Sequence, residues 1–188
     1  MRKYKVLNFI LLGVMFFGSL FFAIDYGKDS KYIEVLTSLS IFVTVLVPVL
    51  LKYTKYKMSP RDIFIYLVFL FLLQFLGGIA NFYRMISWYD LFAHFLSGIF
   101  TIYVAYFILV RAEFDYRKLD SIICFLYFLG VVFLVAGLWE IMEFSFDQLL
   151  HINLQHNLET GVRDTMGDMI VASLGGIIGY FGFIFKKR

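Results

Sequence analysis

Six long apolar runs, separated by short polar segments, constrain this chain more than any other feature of its sequence. The runs cover roughly residues 6–24, 33–52, 62–82, 88–110, 121–146 and 165–185. A helix needs about 20 apolar residues to cross the hydrocarbon core of a bilayer, and these runs meet that length. Helices satisfy their own backbone polar groups in lipid. We therefore expect an all-α polytopic membrane protein, a bundle of six transmembrane helices.

The composition excludes a water-soluble domain. Hydrophobic residues make up 61% of the chain and charged residues 16%, and the mean hydropathy is +0.82. Soluble domains have about 45–50% apolar and about 25% charged residues. The basic residues stand in short clusters between the apolar runs, which predicts no nucleic-acid partner. We interpret residues 1–188 as a single transmembrane domain whose first span is an uncleaved anchor helix.

The distribution of Lys and Arg predicts the orientation in the membrane. The two termini and the second and fourth loops would share one side, and they hold 13 of the 17 basic residues. The opposite side holds the other four, which are Lys28, Lys31, Arg84 and Arg163. Cytoplasmic loops are enriched in Lys and Arg, so both termini are predicted to be cytoplasmic.

Seven ionisable side chains stand in or at the ends of spans four to six. A carboxylate inside a span costs about 2.5–3.5 kcal/mol, so such residues point to function. Within each helix they share one face through i, i+3 or i, i+4 spacing. The predicted topology places all seven at the outer end of the bundle. They are Asp90, His94, Glu140, Glu143, Asp147, Asp164 and Asp168.

This many carboxylates in a poorly hydrated pocket need compensation. Shared protons, an internal cation such as Arg84 or Arg163, or a bound metal would each provide it. Oxygen ligands with one imidazole suit a divalent ion, and Mg²⁺, Mn²⁺, Fe²⁺ and Zn²⁺ are not distinguishable. We assign roles as follows: Asp90, His94, Glu140 and Asp168 as metal ligands, Glu143 or Asp164 as catalytic general base, and Asn81, Gln155 and Arg163 as substrate contacts.

Simpler roles compete with these assignments. Asp90 and Asp164 are also typical of helix caps, and a lone His94 is typical of a hydrogen-bonded core residue. His151 and His156, in the last loop, are either extra ligands or exposed loop residues. The small residues of span six form a close-packing face that is also a candidate surface for oligomerisation. They are Ala172, Gly175, Gly179 and Gly182.

Three segments together resemble a known family. They are Tyr89-Asp90-x-x-x-His94-Phe95-x-x-Gly98, Trp139-Glu140-x-x-Glu143 and Asp164-Thr165-x-x-Asp168-Met169. The pattern resembles the YjdF-type bacterial inner-membrane proteins and, more distantly, the VanZ-like family, over roughly residues 60–185. The resemblance implies a multi-pass protein of the bacterial inner membrane whose acids and histidine form one constellation. VanZ-like proteins are linked with low-level teicoplanin resistance.

Three functions follow as hypotheses. The first is a metal-dependent enzyme that acts on a lipid or lipid-linked cell-envelope substrate from the outer leaflet. The second is an ion- or proton-coupled transporter, in which the acids relay a cation. Inward of Thr101 the fourth span becomes apolar, which ranks transport lower. The third is a non-catalytic, VanZ-like binding or resistance protein whose acids fix the helix register.

Overall fold

The computed structural model describes residues 2–151 and 162–185 and confirms the all-α prediction. No strand occurs in these ranges. Six helices are long and apolar enough to cross a membrane, in agreement with the six predicted spans. They are α1 (Arg2–Lys28), α2 (Tyr32–Tyr53), α3 (Pro60–Ile79), α4 (Tyr89–Arg111), α5 (Ser121–Leu150) and α6 (Val162–Ile184).

Local capping explains where two of the helices begin. Ser59 accepts a hydrogen bond from the backbone N–H of Asp62, whose carboxylate accepts one from the Ser59 N–H in return. This capping box starts α3 just before Pro60. The carboxylate of Asp120 accepts from the Ile122 N–H at the start of α5. Side chains that satisfy otherwise unpaired N–H groups fix both boundaries.

The end of α3 departs from the sequence prediction. The apolar run suggested a helix to residue 82, but the helix ends at Ile79 after a π-helical stretch, Phe71–Ile79. Asn81 follows with φ of 66°, a left-handed conformation that interrupts the α-helical path. A separate short helix, Phe82–Met85, then precedes α4. Apolar composition does not encode this break, because the residues on both sides remain hydrophobic.

The chain divides into two compact units, Met1–Tyr89 and Asp90–Arg188. In the first unit, α1, α2 and α3 pack around buried apolar side chains from all three helices. Aromatic edge-to-face contacts add to this core, such as Phe22 on Phe75 with ring centroids 6.3 Å apart. The core residues are Met15, Ile41, Leu70, Phe75 and Ile79.

Neutral polar groups also join helices of the first unit. Gln74 of α3 donates through Nε2 to the Ser40 hydroxyl and accepts through Oε1 from the Thr44 hydroxyl, both at 2.7 Å. Tyr66 donates to the Thr44 carbonyl at 2.8 Å. Asn8 donates to the Pro60 carbonyl at 2.9 Å. These bonds fix the register of α3 against its neighbours at low cost, because none of the groups is charged.

In the second unit, glycines let α4 and α6 touch backbone to backbone. A Cβ added to Gly98 would overlap the Ala172 carbonyl oxygen, and one on Gly175 would overlap the Phe95 carbonyl oxygen. Small residues at such positions allow this close approach in membrane helices. The face of α6 predicted for oligomerisation therefore packs inside the unit. Gly182, which has no neighbour within 4 Å, is the exception.

The α5 and α6 helices run antiparallel in a regular register. The rings of Phe128 and Tyr180 lie 6.0 Å apart. One turn closer to the start of α6, Gly176 packs against Val132. On α5 every fourth residue is buried from Cys124 through Val132 to Glu140. The side chains of Ile102, Phe128, Val132, Tyr180 and Ile184 form the apolar core of this unit.

Candidate metal centre

Asp90 and His94 occupy the first two turns of α4 and share one face. Their i, i+4 spacing brings Asp90 Oδ1 to 3.7 Å from His94 Nε2. The Asp90 side chain is 34% exposed, whereas that of His94 is 10% exposed. The unpaired N–H groups of the first turn favour a carboxylate at Asp90. The predicted capping role of Asp90 and its role in a cluster with His94 are therefore compatible.

Asp168 meets this pair from α6. Its Oδ2 lies 3.9 Å from His94 Nε2, and only 4% of its side chain is exposed. Its Oδ1 is buried and accepts no hydrogen bond from any described residue. One turn further along both helices, Gly98 packs directly on Ala172. This backbone contact holds the two helices close enough for Asp168 to reach His94.

The three side chains offer a suitable ligand set for a metal ion. One ligand atom each from Asp90, His94 and Asp168 lies within 4.8 Å of the other two. Ligand bonds of about 2.0–2.2 Å place atoms on opposite sides of an ion about 4.2 Å apart. Ligand atoms that neighbour each other on an ion are closer together than this, so a bound ion would draw the three side chains together. Two carboxylates and one imidazole suit Mg²⁺, Mn²⁺, Fe²⁺ or Zn²⁺.

Glu140, the fourth predicted ligand, lies at the same level but outside this group of three. The antiparallel register that pairs Val132 with Gly176 continues in steps of four residues, through Ala136 and Ala172. The next step places Glu140 opposite Asp168. It is 6% exposed, and its charge acts on Asp168, as do those of Asp90, Asp164 and Glu143. The structure thus joins three predicted ligands directly and positions Glu140 beside them.

Glu143 is held by a residue whose part sequence reasoning missed. Trp139 donates from its indole Nε1 to Glu143 Oε1 at 2.8 Å. The i, i+4 spacing of the two residues was the signal that could have revealed this bond. Glu143 is partly buried and its charge interacts with those of Glu140 and Asp90. Trp139 therefore orients one oxygen of Glu143.

The other predicted site residues lie at the margin or elsewhere. Asp164 is partly exposed in the first turn of α6, and Arg163 is exposed beside it. Asn81 belongs to the first unit, where Arg84 forms an ion pair of 3.4 Å with Glu34. Gln155 and His156 fall outside the described residues. His151 ends α5 in an exposed, left-handed conformation, as expected of a loop residue.

Comparison with known families agrees with this architecture. A family described as "Predicted membrane protein (DUF2238)" matches residues 7–188, which is nearly the whole chain. The chain belongs to this family. DUF2238 is the YjdF family, which agrees with the resemblance inferred from the three segments around the acids. A multi-pass location in a membrane follows from the family and from the six apolar helices together.

A curated relative extends the comparison without adding an activity. An uncharacterized protein of Thermotoga maritima is 32% identical over 105 residues, which is 56% of this chain and 52% of the relative. The match thus spans about half the length of that relative. No solved structure matches the chain. None of these findings bears on the VanZ-like resemblance, which stays a prediction.

Proposed function

We propose that the chain is a membrane-embedded, metal-dependent enzyme that acts on a lipid or lipid-linked substrate of the cell envelope. The observation that carries the proposal is the convergence of Asp90, His94 and Asp168 inside the membrane-spanning part of the second unit. These residues come from two helices, and His94 and Asp168 are 74 positions apart in sequence. The cost of burying them favours a role beyond packing.

The buried oxygen of Asp168 is the feature that packing explains least. A carboxylate oxygen away from water normally accepts hydrogen bonds, because an uncompensated buried charge is strongly destabilising. Asp168 Oδ1 accepts none from the described residues, and its neighbours are acids and one imidazole. A residue that served only to fix the register would be expected to have a donor. A bound cation would compensate Asp168 directly.

The distances around His94 fit the ligands of a shared ion. His94 Nε2 lies 3.7 Å from Asp90 and 3.9 Å from Asp168, and both distances exceed the usual range of about 2.7–3.2 Å for N–H···O bonds. Ligands of one ion are separated by such distances, since each ligand contacts the ion rather than its neighbour. This spacing supports a metal as the compensation.

The burial and orientation of each side chain indicate its role at the proposed site. Asp90, His94 and Asp168 would hold the ion, and Glu140, buried on α5, is the proposed fourth ligand. A bound divalent ion polarises phosphoryl or carbonyl oxygens and lowers the pKa of a coordinated water. Glu143, positioned by Trp139, is the better-oriented candidate to accept a proton, and Asp164 is the alternative.

The substrate class follows from the surroundings of the site. The cluster lies near one end of α4, α5 and α6, which the Lys and Arg distribution assigns to the outer side. Beyond it, large apolar side chains such as Leu138, Ile141 and Ile170 are exposed on the same helices. A lipid can present its polar group to the acids while its chain contacts this apolar surface. Arg163, exposed beside Asp164 at the start of α6, remains a proposed substrate contact.

The apolar core beneath the site disfavours the transport alternative. Within the second unit, Ile102, Phe128, Val132 and Tyr180 are each at most 3% exposed and fill the space past Thr101. A cation pathway through these helices would need polar groups at that depth. The described residues of this unit provide an acidic cluster at one end and an apolar core behind it, which favours a site over a pathway.

Metal content and metal-dependent turnover test the proposal. The full chain, purified in mild detergent, is expected to retain a divalent ion measured by mass spectrometry, and His94→Ala is expected to lose it. The wild type should release phosphate or alcohol from lipid phosphates in mixed micelles, and chelation should abolish the release. Ser173→Ala, a change of a hydroxyl that bonds to the Met169 carbonyl, serves as control. Absence of metal from the wild type after addition of Mg²⁺, Mn²⁺ or Zn²⁺ would overturn the proposal.

A further inference from the structure

One end of the first unit carries a dense set of basic side chains. Three stand at the start of α1, and four lie around the connection between α2 and α3. All seven are exposed, and the distribution of Lys and Arg predicts a cytoplasmic location for them. We name this surface the basic end. Its cations are Arg2, Lys3, Lys5, Lys52, Lys55, Lys57 and Arg61.

Contacts between α1 and α3 bring the two groups of cations together. The buried side chain of Asn8 donates from Nδ2 to the Pro60 carbonyl oxygen at 2.9 Å. One turn nearer the start of α1, the ring centroid of Tyr4 lies 5.5 Å from that of Phe64. The α1 cations precede and follow Tyr4, and Arg61 directly follows Pro60. The first turns of α1 and α3 therefore lie side by side, and their cations share one end of the unit.

Aromatic and apolar side chains accompany the cations at the end of α2. Lys52 Nζ lies 5.2 Å from the ring centroid of Tyr53, and Lys55 Nζ lies 5.2 Å from that of Tyr56. Tyr53 is 88% exposed, and Leu50, one turn before it, is 70% exposed. Tyrosines beside cations are typical of the boundary between hydrocarbon and headgroups. This combination fits a partner that is both charged and apolar.

The seven cations lack carboxylate partners in the part of the chain that the structure describes. None of them forms a salt bridge with a described residue. Asp62, the acid nearest to them in sequence, accepts the Ser59 N–H in the capping box of α3. Even with Asp62 included, the basic end keeps a large net positive charge, and like charges repel each other. An anion from outside the chain would relieve this repulsion.

The opposite end of the same unit has a different charge arrangement. Each of its cations has a carboxylate partner, with N···O distances of 3.7, 3.0 and 3.4 Å. The three pairs are Lys28 with Asp25, Lys31 with Asp29, and Arg84 with Glu34. The unit therefore neutralises its cations at one end and leaves them unpaired at the other.

Orientation in the membrane explains the number of cations at the basic end but not their arrangement. The positive-inside rule depends on the Lys and Arg of each loop and requires no contact between loops. The Asn8 and Tyr4 contacts nevertheless bring the start of α1 to the start of α3. Convergence of this kind concentrates charge at one place, as expected of a binding surface for anions.

We propose that the basic end binds anionic phospholipids through the phosphates of their headgroups. Ammonium and guanidinium groups both donate hydrogen bonds to phosphate oxygens. Each cation near an anionic lipid surface adds about 1 kcal/mol of attraction. Leu50 and Tyr53 favour a lipid as the source of the phosphate, because acyl chains can contact them at the same place. This inference goes beyond the proposed metal centre and holds whether or not an ion binds there.

Lipid selectivity in reconstituted bilayers tests the inference. The full chain is reconstituted in phosphatidylcholine vesicles with a trace of spin-labelled phosphatidylglycerol or, in a parallel sample, of spin-labelled phosphatidylcholine. Electron paramagnetic resonance measures the fraction of each label that the protein immobilises. We expect phosphatidylglycerol to be enriched at least about 2-fold over phosphatidylcholine at low salt, and the enrichment to fall in about 1 M NaCl. Equal immobilisation of the two labels at low salt would overturn the proposal.

A loop variant locates the selectivity at the basic end. The combined changes Lys52→Gln, Lys55→Gln and Lys57→Gln remove three exposed charges and no described salt bridge. The enrichment of phosphatidylglycerol should fall by at least half. Should this variant not be recovered folded, the same loss is expected of Arg2→Gln with Lys5→Gln. Undiminished enrichment in a folded variant of either kind would contradict the assignment.

The opposite end of the unit supplies a matched control. Lys28→Gln, Lys31→Gln and Arg84→Gln together remove three charges as well, and these are already paired with carboxylates. This variant should keep the enrichment of the wild type. An equal loss in both triple variants would show that net charge alone sets the selectivity, which would overturn the site.

Inorganic phosphate distinguishes a lipid from a soluble ligand at the basic end. Added to the vesicles, it should reduce the enrichment no more than NaCl of equal ionic strength does, because it lacks the acyl chains. Stronger displacement by phosphate would identify a site for soluble phosphate and overturn the assignment to lipid.

Discussion

The two units of the molecule handle buried polar groups in opposite ways. In the first unit, the buried polar contacts between helices use amides and hydroxyls, as in the Gln74 contacts with Ser40 and Thr44. In the second unit, the buried polar groups include His94, Glu140 and Asp168, which can all carry charge. Neutral pairs cost little to bury, whereas a charge in a membrane span is expensive.

This difference separates a packing role from a chemical one. Both units contain buried polar atoms without a described hydrogen bond, such as the Ser19 hydroxyl in the first and Asp168 Oδ1 in the second. An unpaired hydroxyl costs about 1–3 kcal/mol, and an unpaired carboxylate costs more. The first unit can tolerate an unpaired hydroxyl because its role is to pack helices. In the second unit a bound cation would remove the free-energy cost of the unpaired carboxylate oxygen.

Gly98→Ala should give the largest loss of stability and should show how tightly the second unit is built. Its new Cβ would overlap the Ala172 carbonyl, which belongs to backbone and has no rotamer to change. We expect a loss of at least about 3 kcal/mol in the free energy of unfolding. In the first unit Gly13 has no neighbour within 4 Å. Gly13→Ala should leave stability unchanged or raise it by up to about 1 kcal/mol. Equal effects in detergent unfolding would refute the inferred contrast.

Asp168→Asn is expected to separate metal binding from folding. Loss of a ligand should weaken the affinity for a divalent metal at least 100-fold, which is about 2.7 kcal/mol of binding free energy. Loss of a residue that only supports a ligand already weakens metal affinity about 10–100-fold. The metal-free variant should unfold at a temperature equal to or above that of the metal-free wild type, because a buried carboxylate has become neutral. Calorimetric titration and thermal unfolding measure the two effects. A variant that is less stable without metal would indicate a structural role for the Asp168 charge.

Gln74→Leu should give the opposite pattern. The substitution leaves the hydroxyls of Ser40 and Thr44 without their interhelical partner, at an expected cost of about 1–2 kcal/mol in the free energy of unfolding. Metal affinity should stay within a factor of two of the wild type. Gln74→Glu provides a matched variant of similar size that introduces a charge, and it should be less stable still. A marked change in metal affinity on Gln74→Leu would link the polar contacts of the first unit to the site.

Apolar runs predicted the helices well because span length is set by the bilayer. All six observed helices begin and end within about four residues of the sequence prediction. The helix α3 ends three residues before the predicted end, since a left-handed Asn81 interrupts a hydrophobic stretch without a change in composition. Orientation relies on charge counts alone and stays a prediction.

The site could be predicted in its members but not in its contacts. Spacing placed Asp90 with His94 on one face, and the order of the spans placed Asp168 at the same end. The rotation of each helix about its axis decides which side chains touch, and that rotation depends on packing. The glycines of α6 signalled a close contact, but the sequence did not reveal that its partner was Gly98 of α4. Trp139 was missed because an aromatic residue near a membrane boundary has a simpler explanation.

Two exposed ion pairs, one in a loop of each unit, should respond to pH in opposite directions and give the smallest effects. A hydrogen bond from Arg117 lowers the pKa of Asp115 below its ordinary value of 3.8, and a hydrogen bond to Asp29 raises the pKa of Lys31 above 10.5. The Asp115 pair therefore stabilises the fold above the unfolded pKa and is lost as pH falls through the folded one. The Lys31 pair is present below its unfolded pKa and is lost as pH rises through the folded one. Asp115→Asn should lower the unfolding temperature by about 1 °C or less at pH 7 and not at all near pH 2. Lys31→Gln should lower the unfolding temperature by a similarly small amount at pH 7 and not at all near pH 12. Larger shifts that persist at these extremes would show that the side chains contribute through packing instead of charge.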